Sequence, residues 1–165
     1  MLKSIRGGFI LQKIKNRIEI ETVINEARLF CQEQSNINHV DLLGVTDGKA
    51  VGTYVEHKFK KILSDKYDIE TGNSAVGIDL PSKNINTDIK VASIRQPQSS
   101  CPYKSARQKI YGLGYNLLIF VYDKIDYKNT CNLQFLNCTF VERHRTADYT
   151  TTKRIIELLQ DGAAK

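Results

Sequence analysis

Apolar residues recur along this chain with two periods, and the switches between them mark its elements. Ile20, Val23, Ile24, Ala27 and Cys31 fall at helical spacing with glutamates between them, predicting an amphipathic helix over residues 19 to 34 that packs its stripe on a core. Residues 3 to 18 place Ile5, Phe9, Ile10, Ile14 and Ile18 at roughly the same spacing, weakened by Gly7 and Gly8. The clearest helix runs from Ala50 to Tyr67, with Val51, Val55, Phe59, Ile62 and Leu63 on its buried stripe and Glu56 beside that stripe.

The period then drops to two. Ala75 to Leu80 alternates, Pro81 to Asn84 are turn formers, and Thr87 to Ile94 alternates again, which predicts a hairpin of two short strands. Strand side chains alternate between faces, so Asp88 and Lys90 share one face and Ile89 and Val91 the other, while Asp79 lies opposite Ile78 and Leu80. With the apolar faces together, Asp79, Asp88 and Lys90 converge on one exposed patch. After a polar loop from Arg95 to Pro102, residues Tyr103 to Tyr111 read as a helix closed by Gly112 and Gly114. The unbroken apolar run Asn116 to Asp123 predicts a strand buried on both faces in the middle of a helix-covered sheet. Cys131 to Val141 predicts another, with a change of phase near Phe135 and Leu136 that suggests a bulge. A last helix is expected from Lys153 to Gln160. The segment Leu42 to Lys49 fails as a phosphate-binding loop: only three residues separate Gly44 from Gly48, and Ala50 stands where a serine or threonine is needed. Thr46 to Gly48 therefore reads as a turn.

Composition changes this picture little. A chain of 165 residues with 41% hydrophobic and 25% charged residues suits one folded domain, with N-terminal helices over 1–45, a core over 50–123, and a strand and helix over 131–165. The net charge of +6 favours a polyanionic partner. Cys31, Cys101, Cys131 and Cys138 form no CxxC pair and no zinc spacing with the histidines, so they read as reduced thiols of a cytoplasmic protein. No apolar run approaches the ~20 residues of a membrane span, and the N-terminus lacks the features of a signal peptide.

An acid two residues before a lysine occurs at several places, among them Glu56–Lys58, Asp88–Lys90 and Asp126–Lys128. Only the second lies on a strand-like alternation, with Asp79-Leu80-Pro81 upstream, a helix before it, and a basic helix and buried strand after it. In that order, residues 50 to 123 resemble the core of the PD-(D/E)xK nuclease superfamily, and Gly77 to Gln108 are particularly similar to a type II restriction endonuclease. The resemblance implies an α/β fold with a central mixed β-sheet flanked by α-helices, Mg2+-dependent hydrolysis of double-stranded DNA, and a homodimer acting on a short palindrome. It places the motif's first acid on Asp79, its second on Asp88 and its lysine on Lys90. A helical acid falls on Glu56, with Glu70 as the rival. Here the proline follows the first aspartate instead of preceding it.

The chemistry of these residues agrees with the resemblance. Magnesium takes oxygen ligands and keeps several waters, so Asp79 and Asp88 would hold it, Glu56 could join through water, and Lys90 could orient the attacking water or steady the developing charge. For DNA contacts the candidates are Arg95, Gln96, Gln98, Ser99 and Ser100 after the catalytic strand, and Lys104, Arg107, Gln108 and Lys109 on the following helix. Arg143, His144 and Arg145 are a second possibility. The alternatives are a structure-specific repair nuclease or junction resolvase, and a silent DNA-binding module in which the acids and Lys90 form only a surface salt bridge. The length also suggests a fragment of a longer enzyme.

Overall fold

The computed structural model describes residues 16–72, 77–97 and 102–162. In chain order the elements are β1 (Asn16–Arg17), α1 (Ile20–Ser35), α2 (Gly48–Lys66), β2 (Tyr67–Asp68), β3 (Thr87–Ser93), α3 (Ala106–Tyr111), β4 (Asn116–Asp126), β5 (Cys131–Val141) and α4 (Tyr149–Gln160). One-turn 3-10 helices occur at Val40–Leu42 and Arg143–Arg145. The helix expected over residues 3 to 18 lies almost wholly outside the described residues.

The central sheet has the order β3-β4-β5 and is mixed. β3 runs parallel to β4, with Thr87 beside Asn116 and Ser93 beside Tyr122, and β5 runs antiparallel on the other side. As the apolar run of β4 predicts, that strand is the central one. The expected bulge is present: Asn137 faces Val121 and Phe135 faces Tyr122, so Leu136 has no partner across the ladder. A separate parallel pair joins β1 to β2.

Both long helices pack on one face of the sheet through a cluster of phenylalanines. Phe30 of α1, Phe59 of α2, Phe120 of β4 and Phe135 of β5 lie with centroids 5.2 to 6.0 Å apart in tilted and edge-on arrangements, the geometry that ring quadrupoles favour. Val51, Val55, Phe59 and Leu63 of α2 are buried, as the spacing predicts. The buried stripe of α1 is instead Val23, Glu26, Ala27, Phe30 and Gln34, rotated so that Ile24 and Cys31 sit at its margin and Phe30 at its centre. Asp47 caps α2 by accepting from Lys49 N at 3.0 Å, so the residues read as a turn lead directly into the helix. Asp148 similarly caps α4, which starts four residues before the expected Lys153.

The hairpin is the main departure. Gly77 to Leu80 contain no regular strand, and their backbone pairs with β3 through the single antiparallel bridge of Leu80 with Thr87. Ala75 and Val76 lie outside the described residues. Alternation satisfied the strand pattern, but Gly77, with φ of +72°, turns the backbone away from an extended path.

Phe120 touches all three other rings and is fully buried. Phe120→Ala is expected to lower the unfolding free energy by about 3–5 kcal/mol, read as a lower midpoint in urea denaturation.

Candidate active site at the free edge of β3

β3 has β4 on one side only, so alternate N–H and C=O groups face outward along its other edge. Leu80 and Thr87 exchange two backbone hydrogen bonds there, each 2.9 Å long. At the next outward-facing amide the partner changes: Ile89 N donates to Asp79 Oδ2 at 2.9 Å. The carboxylate thus takes the next rung of the ladder, which fixes Asp79 against β3 without a strand to carry it. Gly72 braces the same segment by donating its N–H to Asp79 O at 2.8 Å. A side chain at Gly72 would overlap the carbonyl oxygen of Ile78, so only glycine allows this approach.

α2 brings two more groups on successive turns. Lys60 Nζ lies 2.5 Å from Glu56 Oε1 and 3.1 Å from Asp79 Oδ1. β3 supplies the third pair, Lys90 Nζ and Asp88 Oδ2, 2.8 Å apart. Glu56, Lys60, Asp79, Asp88 and Lys90, with His57, line a cavity of about 570 Å3. The patch expected to be exposed is in fact partly buried: Asp88 is 5% exposed, and Asp79 and Lys90 are half-buried. Glu56 and Lys60 of α2 reach the same cavity.

Burial sets the electrostatics of the three acids. It raises the Glu56 carboxyl above its ordinary range, and the neighbouring Asp79 adds to this, with Lys60 pulling the other way. Burial also raises Asp88, against the pull of Lys90. Asp79 behaves oppositely: burial pushes it up, but hydrogen bonds to Glu56, the Ile89 amide, Asp88 and Lys60 together hold it below the usual range. Asp79 is therefore the fixed anion, and Glu56 and Asp88 ionise reluctantly beside it. For Lys60, the cost of burial is outweighed by its two carboxylate partners, and its ammonium is stabilised. Among the described residues, no three or more His, Cys, Asp or Glu side chains form a ready-made metal cage. The acids are neighbours along one wall, and an ammonium stands between two of them.

Lys60 was not singled out by the sequence. The available signal was its i,i+4 spacing from Glu56, which describes countless surface pairs. Glu70, the rival helical acid, is exposed and is absent from the cavity wall.

Arg95 and Gln96 line a second cavity of about 1040 Å3 that shares Thr53, Glu56, Ile89 and Lys90 with the first. Arg95 is paired with Asp123, Nε to Oδ1 at 2.6 Å. Thr46 and Lys49, before and within the first turn of α2, line the same groove. Gln98, Ser99 and Ser100 lie outside the described residues. Lys104, Arg107 and Lys109 are exposed around α3 and line neither cavity. Gln108 is engaged in holding that helix, accepting from Lys104 N at 2.6 Å and donating to Leu113 O at 3.2 Å. The exposed Arg143–Arg145 turn is bound to the same block: Thr146 Oγ1 accepts from Leu113 N at 2.8 Å and donates to Arg143 O at 2.7 Å.

The sequence profile of a family described as type II restriction enzyme NspV matches residues 17–165. The chain belongs to the NspV family of type II restriction enzymes. The type II restriction enzyme NspV of Nostoc sp. (strain ATCC 29411 / PCC 7524) is 51% identical over 150 residues, covering 90% of this chain and 67% of that protein. No solved structure matches the chain. The NspV profile spans Glu56, Lys60, Asp79, Asp88 and Lys90 alike.

The raised Asp88 carboxyl makes a pH prediction. A carboxyl whose folded pKa exceeds its unfolded one favours folding below the unfolded pKa, and that advantage is lost as pH rises through the folded value. As pH rises through the folded value, ionisation of Asp88 therefore weighs against the metal-free fold. Asp88→Asn is expected to raise the melting temperature at pH 7 without metal, with the gain shrinking as pH falls toward the ordinary aspartate range, as followed by differential scanning fluorimetry.

Proposed function

We propose that this chain hydrolyses phosphodiester bonds of double-stranded DNA at a specific sequence, using Mg2+ held by Asp79 and Asp88 with Glu56 in support. The observation that carries the reading is the Asp79 carboxylate on the free edge of β3, beside Asp88 and Lys90 in one cavity. The donor set suits a hard divalent cation of the kind type II restriction enzymes use: the three acids offer only oxygens, and two of them hold negative charge reluctantly until positive charge arrives. Magnesium fits because its preference for retaining several waters matches a cavity with space beyond the carboxylates.

Bound there, the cation would neutralise charge on the phosphoryl oxygens and acidify water. Asp79 is held ready as an anion by the Ile89 amide and needs no reorientation on the β3 side. Lys90, on the same strand face as Asp88, is positioned to donate a hydrogen bond to the attacking water or to a phosphoryl oxygen. Asp88 balances that ammonium, so Lys90 is aimed by the strand and by its partner together.

The DNA path we infer is the groove continuous with this cavity, where Lys49, Arg95 and Gln96 lie within reach of a duplex whose phosphate sits at Lys90. The exposed cations of α3 and of Arg143–Arg145 extend positive charge beyond it. A homodimer would place two such sites on the two strands of a palindromic sequence. No described helix is long and apolar enough to cross a membrane, and a DNA substrate suits a protein of the cytoplasm.

Cleavage of phage DNA into discrete fragments, dependent on Mg2+ and abolished by chelator, is the expected result for the purified chain. Lys90→Ala should reduce the cleavage rate by about 10²- to 10³-fold or more while leaving the circular dichroism unchanged. Smeared products would replace site-specific cutting with non-specific digestion, and cutting only of branched DNA would favour the junction-resolving alternative. Gln96 and Lys49 separate two kinds of contact. Gln96→Ala is expected to lose about 1–3 kcal/mol of discrimination between the preferred site and single-base variants. Lys49→Ala should weaken binding to all sequences and lower the salt slope by about one, measured by fluorescence anisotropy with Ca2+ in place of Mg2+.

A further inference from the structure

We propose that the Lys60 ammonium is a built-in competitor for the metal, occupying the space between Glu56 and Asp79 so that a cation binds both acids only when Lys60 withdraws. The proposal rests on the reading of Asp79 and Glu56 as metal ligands. Lys60 Nζ is 2.5 Å from Glu56 Oε1 and 3.1 Å from Asp79 Oδ1, and Asp79 Oδ2 is already committed to the Ile89 amide at 2.9 Å. The Asp79 oxygen that has no backbone partner, Oδ1, is therefore the one Lys60 holds.

The side chain of Lys60 is 13% exposed and faces the cavity wall, so bulk water does not screen the contact as it would at the surface. Its flexible stem allows the ammonium to swing away without moving α2. Withdrawal leaves it in the cavity we assign to the scissile phosphate, where a phosphate oxygen offers a replacement partner. Metal and DNA would then favour the same position of Lys60, and the DNA-free enzyme would bind metal weakly because only the withdrawn fraction is competent.

The test is Mn2+ binding to the DNA-free protein, measured by electron paramagnetic resonance of free Mn2+ and by isothermal titration calorimetry. Lys60→Met is expected to tighten binding by about tenfold, the effect of a competent fraction near one tenth. Lys60→Gln, which keeps hydrogen-bonding capacity without charge, should move affinity in the same direction and covers the case in which Lys60→Met fails to fold. Asp79→Asn should eliminate this binding in both backgrounds. Unchanged or weaker Mn2+ binding in folded Lys60 variants, with Asp79→Asn still abolishing it, would overturn the competition and leave the metal site standing. Undiminished binding in Asp79→Asn would overturn the ligand assignment and the competition with it.

Discussion

The two oxygens of Asp79 face different neighbours, and the half of the fold that holds the cavity depends on this division. One oxygen accepts from the edge amide of Ile89 and the other from the ammonium of Lys60. Hydrogen bonds to a charged group contribute about 1.5–3 kcal/mol each, and among the described residues they join the Leu80–Thr87 rungs, the Gly72 amide and the buried Leu80 side chain in pinning a short irregular segment. Through Asp79, an irregular loop, the edge of a sheet and the middle of a long helix are held in one place. The acids can then be close together without a fourth element to frame them.

α2 has two tasks along its length. Its buried stripe anchors it to the sheet, with Phe59 against Phe120 of β4 and Gly52 passing over Val91 of β3. The adjacent face carries Glu56 and Lys60 into the cavity, and its first turn reaches the neighbouring groove. Core packing thus sets the position of functional groups one helical face away, and repacking around Phe59 would be felt at Glu56.

What could be read from the chain and what could not divide along the range of the interactions. The helix from Ala50, the central strand β4 and the bulge at Leu136 depend on local periodicity, and each is where the pattern puts it. The convergence of Asp79 with Asp88 and Lys90 was legible too, although the strand expected to carry Asp79 is a single bridge. Alternation cannot distinguish an extended arm from a loop whose carboxylate takes a ladder position. Lys60 was hidden because Asp79, the partner that gives it meaning, lies 19 residues away. The place of Thr46 and Lys49 on the groove wall was hidden for a similar reason, since it needs β3 beside the start of α2. In α1 the stripe was misplaced by one step, with Phe30 and not Cys31 at the centre, because its neighbours are phenylalanines from three distant elements.

Gly72 carries no chemistry, yet its hydrogen atom is all that the peptide of Ile78 allows at that point. A saturation library of this chain should show an empty column there beside the columns of the acids. A search that ranks positions by the reactivity of their side chains would pass over it. The space that a methyl group would occupy belongs to the backbone that presents Asp79, so the absence of a side chain is itself a part of the site.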